Sequence, residues 1–151
     1  MTKITTIAVN KTEMSGDLLY SNDVLKFKGA PKVYKIKPHE LHWPHSEFII
    51  GFCGVAAEMI ELIDFYQRPE VYGKLPRTRS TKGLILVPDG SIYIFDNPST
   101  WMAVKEPHWS IGSGSLTALG AMHAGADTRT AIQAATKVDP FTGGGVRTVK
   151  F

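Results

Sequence analysis

Hydrophobic and polar positions follow three rhythms along the chain. "KITTIAV" near the start is β-branched and predicts a strand, with "EMSGDLLYS" as its partner across the short turn "NKTE". "PKVYKIK" predicts another strand after a Gly29-Ala30-Pro31 corner, and "PHELHWPHSE" then breaks regularity with two prolines. "EFIIGFCG" is an unbroken apolar run, the mark of a strand buried on both faces. In "VAAEMIELIDFYQRP" the rhythm changes. Val55, Met59, Leu62 or Ile63, and Tyr66 recur at helical spacing, with Glu58, Glu61 and Asp64 mostly on the other side and Pro69 as a stop.

"EVYGKLPRTRSTK" reads as a loop, and "GLILVPDGSIYIFD" as a hairpin about Pro88-Asp89-Gly90. "HWSIGSGS" closes a strand in a Gly-Ser turn. Two helices rich in small residues follow, "SLTALGAMHAGA" and "TRTAIQAATKV", the second capped by Asp127 or Thr128. "GGGVRTVKF" ends in a last strand after a glycine hinge. The order is strands, a helix, strands, two helices and a strand. That order predicts an α+β domain with largely antiparallel strands.

Composition changes this picture little. A length of 151 residues suits one domain with a real core, and 43% hydrophobic with 21% charged residues is ordinary for a soluble globule. A net charge of +3 without a Lys/Arg cluster does not point to nucleic acid. No apolar run approaches a membrane span, and the single Cys53 excludes an internal disulfide framework. The expectation is a cytoplasmic protein, or the soluble part of a larger particle. Cys53 reads as a buried structural thiol.

His39, His42 and His45 share an H-x-x-H-x-x-H spacing, but Pro38 and Pro44 oppose one helical face and no cysteine or acidic cluster completes a zinc site. A surface loop is expected there, with no metal and no cofactor. Gly112-Ser113-Gly114 opens a helix as a phosphate loop would, yet Thr117 stands where a dinucleotide fingerprint needs its third glycine.

The candidate chemistry begins at Thr5-Thr6. A threonine hydroxyl is a weak nucleophile and needs a base. The simplest is its own α-amino group, which titrates at roughly 7.7–8.0. A neighbouring lysine ammonium favours the neutral amine, a carboxylate holds that lysine, and a backbone N–H stabilises the oxyanion.

Six ordered segments carry a resemblance: "TTIAV", "SGD", "KGAPKV", "IIGFCGVAAEMIEL", "SIGSGSLTALGAM" and "VDPFTGGGVRTVKF". Together they resemble the proteasome β-subunit family of N-terminal nucleophile (Ntn) hydrolases, in particular its simplified bacterial peptidase that works with an ATP-driven unfoldase. The resemblance spans nearly the whole chain. It implies a four-layer αββα sandwich of two antiparallel sheets between helices. It implies Thr5 as nucleophile, Lys32 beside it, Asp17 holding the lysine and Gly54 as the oxyanion N–H. Ser113, Asp139 and Thr142 would lie about the amine, with Thr142 in place of a serine. Polypeptide substrate, a homo-oligomeric ring and an unfoldase partner are implied in the same way.

Departures from the family pattern matter. Only "EVYGKLPRTRSTK" fills the place of a second long helix, so one helical layer is expected to be reduced. The first hairpin is short, and "KPHELHWPHSE" is an unusual insert. "MTKI" precedes Thr5, with Ile4 where many family members have glycine. Residues 1–4 are therefore a candidate propeptide before a single domain over 5–151. While they are attached, the Thr5 nitrogen is an amide and no base. Loss of Met1 alone exposes Thr2, which reaches the Lys32 position only by an odd slip that flips the strand's faces. Two readings stand: a threonine peptidase matured at Ile4–Thr5, or a catalytically silent proteasome-fold structural subunit of a larger assembly.

Overall fold

The computed structural model describes residues 2–37 and 47–151; the His39, His42 and His45 loop lies outside them. Strands β1 (Lys3–Ile4), β2 (Ile7–Asn10), β3 (Glu13–Asp17), β4 (Leu19–Ser21), β5 (Lys26–Lys28), β6 (Val33–Ile36) and β7 (Phe48–Val55) lead into helices α1 (Ala56–Gln67) and α2 (Pro69–Tyr72). Strands β8 (Lys82–Leu86), β9 (Ile92–Phe95), β10 (Met102–Val104) and β11 (His108–Ile111) follow. Helices α3 (Ser115–His123) and α4 (Thr128–Val138) precede the last strand, β12 (Val146–Lys150).

Two antiparallel sheets face one another. The larger runs β10-β9-β8-β7-β1-β4-β5, with β6 on the first half of β7; the smaller runs β11-β2-β3-β12. Period-2 alternation explains why the apolar run of β7 is buried throughout. Phe48, Ile50 and Phe52 join Met59, Leu62 and Tyr66 under α1, whereas Ile49 and Cys53 join Ile7, Met14 and Leu84 between the sheets. Ala8, Ala118, Ala131, Ile132 and Ala135 form a third layer beneath α3 and α4. Their small side chains let the two helices lie close, as the sequence suggests. The result is the αββα sandwich with one reduced helical layer: four-residue α2 stands where a long helix was expected to be missing. Among the described residues, no helix is long and apolar enough to cross a membrane.

The structure divides two segments that the sequence reads as single strands. "KITTIAV" becomes β1 in the large sheet and β2 in the small one, and "EMSGDLLYS" becomes β3 and β4 by the reverse crossing. Propensity cannot register such a break, because both halves of each segment remain β-formers. The first crossing occurs at Thr5-Thr6, where Thr6 has φ 30°, the one positive φ outside glycine among the described residues. The second occurs at Leu18, whose N–H donates to the carbonyls of Gly143 (3.0 Å) and Gly145 (3.2 Å). Gly144 is required there: at φ 75° a Cβ would lie 3.1 Å from the Leu18 carbonyl carbon. Strands β5 and β10, and the helical turn α2, were not anticipated. Pro69 follows the last cap of α1, as expected, and also opens α2, using the first helical position where its missing N–H costs nothing.

Candidate active site

The two crossings bring Thr5, Asp17 and Lys32 together in the interior. Thr5 is 8% exposed, and Asp17 and Lys32 are fully enclosed. The Lys32 Nζ donates to Asp17 Oδ1 (2.6 Å), to the Leu19 carbonyl (2.5 Å) and, at 3.5 Å, to the Thr5 carbonyl. It also sits 5.0 Å from the Tyr20 ring centroid, a favourable place for a cation. The other Asp17 oxygen accepts from the Gly143 N–H (3.0 Å) and lies 3.3 Å from the Thr5 Oγ. Burial pushes the Lys32 ammonium below the ordinary lysine range, opposed by the charge and hydrogen bond of Asp17. Burial likewise pushes Asp17 up, opposed by Lys32, Gly143 and Thr5. Burial thus disfavours both charges, and the pairing of each ion with the other and with its hydrogen-bond partners offsets that cost in part.

Ser113, Asp139 and Thr142 form a second cluster. The Ser113 hydroxyl donates to Asp139 Oδ2 at 2.5 Å, and the Thr142 hydroxyl donates to the same oxygen at 2.6 Å. Thr142 lies 2.7 Å from the Thr6 hydroxyl, which accepts from the Gly114 N–H at 2.9 Å. Proton counting orders the chain. Thr142 gives its one proton to Asp139, so Thr6 donates to Thr142. This relay ends on Thr6, and Thr5 instead donates to the Phe141 carbonyl (2.6 Å). Asp139 feels burial, which raises its pKa, but the donors Ser113, Thr142 and the Phe141 N–H outweigh it and hold the carboxyl below the usual aspartate value.

Gly54 lies on β7 opposite Ile4, with Lys3 opposite Val55. The Ala56 N–H donates to the Thr2 carbonyl at 3.0 Å. Hydrogen-bonding pairs alternate along an antiparallel ladder, so the next pair after Thr2 and Ala56 is Ile4 and Gly54. Gly54 thus faces the residue that precedes Thr5. Its φ is 119°, and a Cβ there would meet the Ser80 carbonyl oxygen at 2.1 Å. Residues 79–81, in the loop between α2 and β8, support that turn. Glu58 accepts from the N–H groups of Arg79 (2.6 Å) and Ser80 (2.9 Å) and from the Thr81 hydroxyl (3.0 Å). The Thr81 hydroxyl oxygen in turn accepts the Val55 N–H and lies beside the Val55 carbonyl, both at 3.1 Å.

Several solved structures share this architecture. Thiobacillus denitrificans BPH in complex with epoxomicin superposes with a TM-score of 0.75 at 18% identity, over 97% of this chain and 98% of that one. A second structure of Thiobacillus denitrificans BPH gives 0.73 at 18%, over 97% of each chain. Eukaryotic HslV from Trypanosoma brucei gives 0.65 at 20%, over 97% of this chain and all (100%) of that one. This is the proteasome-type Ntn-hydrolase fold. At the level of sequence, no family model and no curated protein matches the chain.

On that proteasome-type frame, the seven residues singled out in the sequence fall in three places. Thr5, Asp17 and Lys32 touch; Ser113, Asp139 and Thr142 touch; Gly54 faces Ile4. Sequence reasoning missed Thr6, Glu58 and the carbonyls of Leu19 and Phe141. Thr6 looked like any β-branched strand residue, and Glu58 like the solvated side of α1. A backbone carbonyl leaves no signature in the sequence at all. Cys53 is buried between the sheets, where burial pushes its thiol up to about 11, a poor setting for a nucleophile. The Gly112-Ser113-Gly114 turn directs the Gly114 N–H to Thr6 rather than outwards.

Proposed function

We propose that the chain is a proteasome-like threonine peptidase that matures by scission of the Ile4–Thr5 bond. The observation that carries this reading is the enclosed Lys32–Asp17 pair abutting Thr5. A fully buried ion pair is of doubtful benefit to stability, whereas an ammonium 3.5 Å from the Thr5 carbonyl has a clear chemical use. In maturation, Thr5 Oγ attacks the Ile4 carbonyl carbon. Before a free amine exists, Asp17 Oδ2, 3.3 Å from Oγ, is the carboxylate oxygen that takes the hydroxyl proton. The Ile4 C–N bond breaks, the Thr5 nitrogen leaves with a proton as an amine, and water hydrolyses the Ile4–Thr5 ester.

The mature site then acts on polypeptide. The Thr5 amine takes the proton of its own hydroxyl, Oγ adds to a substrate carbonyl, and the Gly54 N–H stabilises the oxyanion. The amine passes the proton to the leaving nitrogen and afterwards activates the water that frees the acyl group. Lys32 keeps the amine neutral, Asp17 fixes Lys32, and the Ser113–Asp139–Thr142 cluster orders the N-terminus. A cytoplasmic homo-oligomeric ring fed by an ATP-driven unfoldase is the setting this chemistry suits.

The second reading is a silent structural subunit, and it is favoured by β1 itself. Residues 3 and 4 pair on both sides, with β4 and β7, and while they stay the Thr5 nitrogen is an amide. Intact mass of the native assembly tests both readings. Loss of residues 1–4, followed by a gain of one epoxomicin mass that Thr5→Ala abolishes, is expected. A chain that retains residues 2–4 after assembly and never takes up epoxomicin would establish the structural reading instead.

A further inference from the structure

Two histidines outside the candidate active site meet at the surface. His108 opens β11 and is held in register opposite Asn10 of β2. His123 closes α3, in its last helical turn. His108 Nε2 lies 3.0 Å from His123 Nδ1, and the rings stand 73° to one another with centroids 4.5 Å apart. His108 is half-buried and His123 is exposed, so solvent reaches the pair. Both residues sit at the ends of their elements farther from Thr6. At the nearer ends, Ile111 of β11 pairs with Ile7, and the Gly114 N–H just ahead of α3 donates to the Thr6 hydroxyl. One hydrogen bond joins the rings. When the donor ring carries its proton on its other nitrogen instead, both facing nitrogens present lone pairs.

We propose that His108 and His123 are the two protein ligands of a surface site for a divalent transition-metal ion, Cu(II) in preference to Zn(II), with water in the remaining positions. Ligand type narrows the choice first, because neutral imidazole suits copper, nickel and zinc rather than magnesium or calcium. Distance narrows it further. With metal–nitrogen bonds of about 2.0–2.1 Å, a nitrogen separation of 3.0 Å subtends about 90–100° at the ion. That is the angle between neighbouring positions of a tetragonal Cu(II) site, whereas tetrahedral zinc needs a separation of about 3.3 Å. Copper also binds such nitrogen sites most tightly among the divalent ions of its row. The surroundings favour a cation. The C-terminus of α3 carries partial negative charge, and Glu106 lies close enough for its charge to act on His108. Among the described residues no group of three His, Cys, Asp or Glu side chains converges, so the site is open and exchangeable, unlike a closed structural centre. A bound ion clamps the end of α3 to β11, the two elements whose other ends flank Thr6. It touches no residue assigned to catalysis, and the site stands whether or not Ile4–Thr5 is cut.

The test uses the full, untagged chain carrying His39→Gln, His42→Gln and His45→Gln, which leaves His108 and His123 as its only histidines. Cupric and zinc ions are titrated into it by calorimetry at mildly alkaline pH. One Cu(II) should bind per chain, at least tenfold more tightly than Zn(II). Electron paramagnetic resonance should show two imidazole nitrogens on the copper. Adding His108→Gln or His123→Gln should weaken copper binding at least tenfold in each case. Saturating Cu(II) should raise Tm, because an ion that prefers the folded chain stabilises it, and either single substitution should remove that rise. The nitrogen count needs no change at His108 or His123, so it decides the matter even if one of those substitutions disturbs the fold. Copper binding that survives unchanged in either glutamine variant, fewer than two imidazole nitrogens on the copper, zinc bound as tightly as copper, or no binding once His39, His42 and His45 are gone overturns the assignment.

Discussion

Thr5 and Thr6 are neighbours in the chain, yet their hydroxyls end in surroundings of opposite kind. The Thr5 hydroxyl donates to the Phe141 carbonyl beside two wholly enclosed ions, Asp17 at 3.3 Å from Oγ and Lys32 on the Thr5 carbonyl. Around Thr6 the partners are neutral hydroxyls and one N–H, ending on Asp139, with Ser113 reaching solvent. A buried ion pair fails badly when one member is lost, because the survivor is left charged without water. A hydroxyl relay fails more gradually, since each member gives up one hydrogen bond and the carboxylate at its end, Asp139, is only half-buried. The difference suits the proposed division of labour. The enclosed ion pair sets protonation at the nucleophile, and the hydroxyl relay sets the path of the chain past it.

The sharpest break of this comparison is Lys32→Met, expected to cost about 3–5 kcal/mol in urea unfolding and to abolish scission at Ile4–Thr5. The double variant Asp17→Asn/Lys32→Met should regain most of the stability and none of the scission. Equal stability of the single and double variants would mean that the charge left on Asp17 is not what destabilises. Thr6→Val comes next. It leaves the enclosed Gly114 N–H without its acceptor, at a cost of about 1–3 kcal/mol, whereas Thr6→Ser should recover most of that loss. A Thr6→Val protein as stable as its parent would show that the relay does not hold the crossing.

Glu58→Gln extends the comparison to the loop behind Gly54. The side chain keeps its shape but loses its charge, so about 1 kcal/mol is expected, with faster hydrogen exchange at the Arg79 and Ser80 amides. Unchanged exchange there would remove Glu58 from the support of Gly54. The smallest effect belongs to Asp139, read as the pH dependence of Tm against Asp139→Asn. Its carboxyl is held below the ordinary 3.8 in the folded chain, so the folded state binds a proton less readily than the unfolded one. Its stabilising effect is then complete above that ordinary value and fades as pH falls through the depressed one. The two proteins should differ at neutral pH and converge in acid; a constant gap would contradict the assignment.

Much of the fold was legible locally. The unbroken apolar run at residues 48–53 announced a strand covered on both faces, and the spacing of Met59, Leu62 and Tyr66 announced the helix packed upon it. Asp127 was legible as a cap, and its side chain accepts the Thr130 N–H at 2.8 Å. Hidden were the two crossings between sheets, because a β-former looks alike in either sheet. Hidden too was the role of Glu58, because a carboxylate on a helix face looks solvated until a loop is folded against it.

By itself, the sequence determined the three longer helices and most of the strand-forming segments, which faces are apolar, and the ordered motifs that placed Thr5, Asp17, Lys32 and Gly54 among the candidates. These are properties of period and residue type, and they need no knowledge of distant neighbours. Only the tertiary structure decided that Thr6 bends the chain from one sheet to the other, that Lys32 reaches the carbonyls of Leu19 and Thr5, and that residues 2–4 lie seated between β4 and β7. Those outcomes depend on backbone groups and on which strands become neighbours. Side-chain identity records neither until the chain has closed on itself.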